Sequence, residues 1–104
     1  MLASVLPAFA GEAPPGWCRA GLKDTEQVIC AKPELWKLDA ELNSRYAALK
    51  DTLTVAEARQ LAADETDWLA GRDGCLIDFD CIVNAYHQRL DDLDRQSGAA
   101  GSGL

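Results

Sequence analysis

The chain has 104 residues, of which 17 are Asp or Glu and 10 are Lys or Arg, so its formal net charge is −7 at pH 7. This acidic balance argues against nucleic acid and anionic membrane surfaces as partners, because both carry negative charge. No stretch approaches the roughly 20 apolar residues of a transmembrane helix, which argues against an integral membrane segment. A chain of this length is enough for one domain with one modest hydrophobic core.

The first ten residues are apolar and uncharged, and they end in Ala8-Phe9-Ala10. This ending fits the small-x-small rule for cleavage by signal peptidase. We therefore interpret residues 1–10 as the remnant of a signal peptide and residues 11–16 as a linker. No Lys or Arg precedes the apolar run, so a disordered apolar tail on a cytosolic protein is the alternative interpretation.

Residues that favour helices dominate the rest of the chain, and no alternating run of Val, Ile and Thr indicates a strand. We predict a short helix near residues 25–31, preceded by a segment that contains Cys18. Pro33 is tolerated in the first turn of a second, long helix, which continues to about Thr52. The apolar residues of this helix recur at steps of three and four and form one stripe. They are Leu35, Leu38, Leu42, Tyr46, Leu49 and Leu53.

A third helix is predicted after the sequence Thr54-Val55-Ala56-Glu57. This is a capping box, in which the threonine accepts from a free backbone amide and the glutamate reaches back. The helix continues to about Asp73, where Gly74 helps to end it. The row expected to face the core includes two charged residues. It consists of Ala58, Leu61, Ala62, Glu65, Trp68, Leu69 and Arg72.

Asp78 can cap a fourth helix, which follows a short turn. Its apolar stripe consists of Phe79, Ile82, Val83, Tyr86, Leu90 and Leu93. We interpret residues 17–96 as the folded domain and residues 97–104 as a flexible tail. Short connections between amphipathic helices predict antiparallel neighbours. The expected fold is therefore all-α, a small disulfide-stapled helical hairpin or bundle of three to four helices.

The four cysteines are Cys18, Cys30, Cys75 and Cys81. An even number of cysteines in a short exported chain is typical of disulfides formed in an oxidising compartment. Neither pair has the short spacing of structural zinc sites, and His87 is the only histidine, so we predict no metal site. We favour the local pairs Cys18–Cys30 and Cys75–Cys81, and crossed pairing stays open. The second bridge requires a break in the helix, since six residues of continuous helix span about 9 Å, beyond disulfide reach.

Two charged residues, Glu65 and Arg72, lie on the apolar face of the third helix, and Asp39 flanks the stripe of the second. We interpret them as a partly buried ion-pair network, in which a pair between Asp39 and Arg72 fixes how the two helices align. The alternative is a catalytic carboxylate in a pocket of low dielectric constant. No nucleophile or second paired carboxylate accompanies these residues, so we expect neither enzymatic activity nor a cofactor.

A set of short motifs in a fixed order extends over residues 17–95. These motifs are Cys18, Val28-Ile29-Cys30, Pro33-Glu34-Leu35, Leu38-Asp39-Ala40-Glu41-Leu42, Tyr46, Trp68-Leu69, Arg72-Asp73-x-Cys75, Cys81, Tyr86, Arg89 and Leu93. In this order they resemble the lysozyme inhibitor LprI-like N-terminal domain family of exported bacterial proteins. The resemblance implies a periplasmic or secreted helical domain with disulfides and, from the family's namesake, inhibition of lysozyme. It transfers no inhibitory residue, because the matching positions are fold residues.

Two functions are consistent with the resemblance and the charge. The first is a binding protein that occludes a basic, peptidoglycan-cleaving lysozyme, for which the negative charge would accelerate encounter. The alternative is a protein-interaction or scaffolding module of the cell envelope with a partner other than lysozyme. Two tryptophans lie off the stripes and could either pack or form a contact patch, and several acidic residues could either steer a partner or be ordinary solvated positions. The candidate contact residues are Trp17, Trp36, Glu57, Asp64, Asp91, Asp92 and Asp94.

Overall fold

The computed structural model describes residues 11–101, with side chains as far as Gly98. In this range the chain forms four helices and no strand, which confirms the all-α prediction. The helices are α1 (Asp24–Ala31), α2 (Pro33–Lys50), α3 (Val55–Asp73) and α4 (Phe79–Gly101). None of these helices combines the length and the hydropathy that crossing a membrane requires. The predicted signal remnant, residues 1–10, and the last three residues of the predicted tail lie outside the described residues.

Helix α4 is central to the packing. It contacts both α2 and α3, while α1 contacts α2 and α3. The stripes predicted for α2 and α4 supply most of the hydrophobic core, so they face inward as expected. The buried hydrophobic residues are Ile29, Leu35, Leu42, Leu49, Leu61, Ile82, Tyr86, Leu90 and Leu93.

Helix α3 packs differently from the prediction, because Leu61 is its only buried aliphatic residue in the described structure. Ala62 and Leu69 were expected to face the core, but both are exposed. Each lies one residue, or about 100° of helix rotation, beyond a residue that contacts the core, so its side chain turns away from α4. The row that faces α4 consists of Leu61, Glu65, Trp68 and Arg72.

Local sequence signals set the helix boundaries. Pro33 begins α2, and the residue before it adopts extended backbone, which separates α1 from α2. At the start of α3, the Glu57 amide donates to Thr54 Oγ1 at 3.2 Å, and the Thr54 amide donates to Glu57 Oε1 at 2.9 Å. The predicted capping box is therefore confirmed. The Cys81 amide donates to Asp78 Oδ1 at 3.1 Å, so Asp78 caps α4 as predicted.

Two disulfides join Cys18 to Cys30 and Cys75 to Cys81, with Cα separations of 5.8 and 5.6 Å. This is the local pairing that the spacing favoured. The first bond ties the segment before α1 to the end of α1. The second closes the turn between α3 and α4, where the Asp78 amide donates to the Cys75 carbonyl at 3.1 Å. This turn supplies the break in the helix that the second bond requires.

Helix α4 continues through residues 97–101, which the sequence analysis placed in a flexible tail. The backbone of these five residues is therefore helical, and the flexibility of the tail stays a prediction. The packed part of α4 has already formed the helical nucleus, so each further residue adds a backbone hydrogen bond at little cost. Two of the added residues are alanines, the strongest helix formers.

We expect replacement of both Cys75 and Cys81 by Ser to lower the free energy of unfolding by about 2–2.5 kcal/mol. The same replacement of Cys18 and Cys30 should lower it by about 3 kcal/mol. The second loss is larger because its loop is longer, with a sequence separation of 12 against 6. Urea unfolding followed by circular dichroism measures both values. Unchanged stability in both variants would contradict this account of the disulfides.

Candidate functional site

Three helices meet at the hydroxyl group of Tyr86, a fully buried residue of α4. The hydroxyl donates to Asp39 Oδ1 of α2 at 2.9 Å and accepts from Arg72 Nη1 of α3 at 3.3 Å. Asp39 and Arg72 are also buried, so this contact lies in the protein interior. The predicted direct ion pair between Asp39 and Arg72 is wrong, because the tyrosine hydroxyl lies between the two groups and binds both.

The Arg72 guanidinium group has further partners of two kinds. It lies 5.8 Å from the ring centroid of Trp17 and 5.7 Å from that of Trp68, distances typical of cation–π contacts. Its Nε and Nη2 atoms donate to Asp73 Oδ1 at 3.1 and 2.9 Å. We call the residues of this arrangement the Arg72 cluster. They are Trp17, Asp39, Trp68, Arg72, Asp73 and Tyr86.

The contacts of the Arg72 cluster raise the pKa of both Arg72 and Tyr86, so each keeps its proton. Burial by itself would lower the pKa of Arg72, but Tyr86 and Asp73 outweigh it and raise this pKa above its usual value. Burial and the charge of Asp39 raise the pKa of Tyr86, so its hydroxyl remains a hydrogen-bond donor. A charge in the interior is tolerated only when it has such partners. The polar groups of the cluster bind one another, which suits them to holding helices together.

The tryptophans take part in packing within the fold. Trp68 donates from Nε1 to the Ala85 carbonyl at 2.9 Å, and its ring meets Tyr86 edge-on at 5.0 Å between centroids. Trp17 is half-buried against Arg72. Trp36 is also half-buried, and its Nε1 donates to the Cys30 carbonyl at 3.2 Å. Contact of Trp17 or Trp36 with a partner stays a prediction.

A second pair of charged residues links α3 to α4. Arg89 Nε donates to Glu65 Oε1 at 2.9 Å, and both side chains are largely shielded from solvent. Sequence reasoning placed Glu65 in a buried ion pair but did not identify Arg89 as its partner. Periodicity placed Arg89 on the same side of α4 as Tyr86, three residues earlier, but it did not show which residue of α3 lies opposite.

The acidic contact candidates are spread over two helices, and most of them already have a partner. On α3, Glu57 completes the capping box, and its hydrogen bonds from Thr54 lower the pKa of its carboxyl group. Asp64 accepts from Gln60 on the same helix at 2.8 Å. On α4, Asp94 pairs with Arg45 at 2.7 Å and Asp92 pairs with Arg95. Asp91 is exposed and has no hydrogen bond or ion pair with other described side chains, and its role towards a partner stays a prediction.

Residues 75–81 form a segment closed by its terminal cysteines, which includes the turn before α4 and the first three residues of α4. We call this segment the Cys75–Cys81 loop. Its Leu76 and Ile77 side chains are 60% and 72% exposed. Sequence reasoning missed these residues, although they are aliphatic and belong to neither flanking helix stripe. Beside the loop lies a depression of about 600 Å³ with polar and aromatic walls. Its lining includes Trp68, Arg72, Asp78, Asp80 and Asn84.

Within residues 11–101, no three His, Cys, Asp or Glu side chains come together in an arrangement that could hold a metal ion.

Comparison with known proteins identifies the family. A family model described as "Lysozyme inhibitor LprI" matches residues 18–93, a range that includes both disulfides and packed segments of all four helices. The chain belongs to this family. No curated protein and no solved structure matches it.

We expect Tyr86→Phe to lower the free energy of unfolding by about 1–3 kcal/mol, because Asp39 and Arg72 each lose a buried hydrogen-bond partner. The matched control is Tyr46→Phe. Tyr46 is half-buried in α2, and its hydroxyl makes no hydrogen bond with the described residues, so its loss should change stability by less than about 0.5 kcal/mol. Thermal and urea unfolding of the two variants measure the difference. Equal stabilities would contradict the bridging role of Tyr86.

Proposed function

We propose that this member of the LprI family is an exported inhibitor that binds a lysozyme-type peptidoglycan hydrolase and occludes its substrate cleft. The observation that carries the proposal is the family match over residues 18–93. This range includes nearly all of the packed fold, so the match concerns the whole domain and not an isolated motif.

The fold supports the proposal because it presents a rigid surface. Each disulfide and the Arg72 cluster hold segments that would otherwise have many conformations. A surface that is ordered before binding loses less conformational entropy when a partner docks. A small inhibitor with a thin core gains most from such restraints.

The net charge of −7 also supports a basic target. Opposite charge increases the rate of encounter, and the effect falls as salt screens it. Among the candidate acidic residues, Asp91 retains a charge that no described side chain neutralises, whereas Asp92 and Asp94 are paired with arginines. Long-range steering depends on the summed charge, to which each aspartate–arginine pair adds no net charge.

Export is part of the proposal. Both disulfides are consistent with an oxidising compartment, where such bonds persist. The apolar segment that ends in Ala8-Phe9-Ala10 supports delivery to the periplasm or to the medium. The bacterial envelope is also where peptidoglycan and the enzymes that cleave it meet.

The direct test is lysis of a peptidoglycan suspension by purified lysozymes of several classes, with residues 11–104 added in its oxidised form. We expect inhibition of at least one class at micromolar concentration, with a pattern competitive with peptidoglycan. Reduced and alkylated protein serves as the control, since it should lose the ordered surface. Full activity of every lysozyme at these concentrations would contradict the proposal.

The charge contribution predicts a salt dependence in association. Raising NaCl from about 50 to about 200 mM should slow association with the inhibited lysozyme several-fold and change dissociation much less. Asp91→Lys should slow association at low salt, whereas the matched variant Asp91→Glu should not. Surface plasmon resonance gives both rate constants. An association rate independent of salt would show that charge does not steer this encounter.

A further inference from the structure

We propose that the Cys75–Cys81 loop is the segment that enters the substrate cleft of the hydrolase, with Leu76 and Ile77 as its main contacts. This inference rests on the proposed function and deepens it by naming the residues that bind. No site has been assigned to the loop by the family match, which describes the domain as a whole.

The first argument is exposure. The large hydrophobic residues that are exposed in the described structure are Val55, Leu69, Leu76 and Ile77. Only Leu76 and Ile77 are adjacent in sequence, and they lie together at the turn between α3 and α4. Covering apolar side chains with a partner removes them from water, which is favourable in free energy. An exposed pair of adjacent apolar residues therefore indicates a contact site more strongly than a single exposed residue does.

The second argument is that the loop is held in place. The Cys75–Cys81 disulfide closes it at its ends. The buried Thr25 hydroxyl donates to the Leu76 carbonyl at 2.6 Å and lies 3.1 Å from the Asp73 carbonyl, so α1 supports the loop from the inside. The loop is therefore ordered before it meets a partner, and binding costs little conformational entropy.

The third argument is the backbone of Leu76, whose φ is 54°. This left-handed conformation costs a residue with a side chain about 1 kcal/mol, and glycine or asparagine would adopt it more readily. A turn that served only to connect two helices would favour one of those residues. The leucine is unfavourable for the turn and unused by the core, which points to contact with another molecule.

The fourth argument is charge, which identifies the kind of partner. Asp78 and Asp80 are exposed and follow the aliphatic pair in sequence. The cleft of a glycoside hydrolase carries two carboxyl groups at its catalytic centre, and these would repel the aspartates. The aliphatic pair is therefore the part that faces the catalytic carboxyls, while the aspartates face basic residues at the rim. A basic enzyme with an open cleft satisfies both requirements.

The test compares Ile77→Asp with Val55→Asp. The two residues are 72% and 71% exposed, and both variants replace a β-branched aliphatic side chain by a carboxylate, so charge and exposure are matched. Val55 begins α3 and lies at the opposite end of this helix, roughly 27 Å from the loop. We expect Ile77→Asp to raise the inhibition constant at least about tenfold and Val55→Asp to leave it within about twofold.

Leu76→Asn is a second variant, which should not destabilise the fold. Asparagine tolerates the left-handed conformation, so the thermal midpoint should stay the same or rise. We expect inhibition to weaken nonetheless, because the apolar contact is lost. If Leu76 served only the turn, inhibition by Leu76→Asn would be unchanged, and this outcome would contradict its role as a contact. Circular dichroism of all three variants checks that each is folded.

A soluble N-acetylglucosamine oligosaccharide that fills the lysozyme cleft tests where the loop binds. We expect it to compete with the wild-type domain in a direct binding measurement. If the wild-type protein inhibits lysozyme and Ile77→Asp inhibits it equally well, the loop assignment is overturned and the proposed function stays intact. Simultaneous binding of oligosaccharide and inhibitor would overturn the assignment to the cleft. Failure of the wild-type domain to bind or inhibit any lysozyme would overturn both proposals.

Discussion

The buried hydroxyl group of Tyr86 joins α2 and α3 to α4 through two hydrogen bonds, one to Asp39 and one from Arg72. The alignment of α3 depends on this contact because aliphatic packing holds this helix only weakly. It contributes one buried aliphatic residue to the core, so its remaining contacts with α4 are largely polar and aromatic. In the interior such contacts are strong when complete and costly when one partner is missing. The arrangement therefore favours a single alignment of the three helices.

The same contacts continue from the core to the loop that we propose as the binding segment. Arg72 donates to Asp73, and the Asp73 carboxylate also pairs with Lys23 at 3.4 Å. Thr25 then contacts the carbonyl groups of both Asp73 and Leu76. The position of the loop is thus set by the Arg72 cluster on one side and by the Cys75–Cys81 disulfide on the other. In this small domain, the groups that stabilise the fold also order the proposed contact surface.

Fold and proposed binding use different residues. The motifs that carry the family resemblance lie mostly in the core, in the Arg72 cluster or in the disulfides. Leu76 and Ile77 are absent from these motifs, and their side chains contribute nothing to the buried core. A domain built in this way can keep its core while the exposed loop adapts to a particular hydrolase. The net negative charge would increase the rate of encounter with a basic partner, and this effect requires no specific contact.

Sequence by itself determined the features that arise between neighbours along the chain. Apolar periodicity located α2 and α4, the capping sequences at Thr54 and Asp78 marked two helix starts, and cysteine spacing favoured the two local disulfides. Only the tertiary structure decided how the charged residues pair and which apolar residues remain exposed. Tyr86 meets Arg72 and Asp39 across 14 and 47 positions, and Arg89 meets Glu65 across 24. Helix periodicity gives the face of a helix on which a side chain lies. It does not give the rotation or the axial shift of the neighbouring helix, and these two quantities decide which side chain becomes its partner.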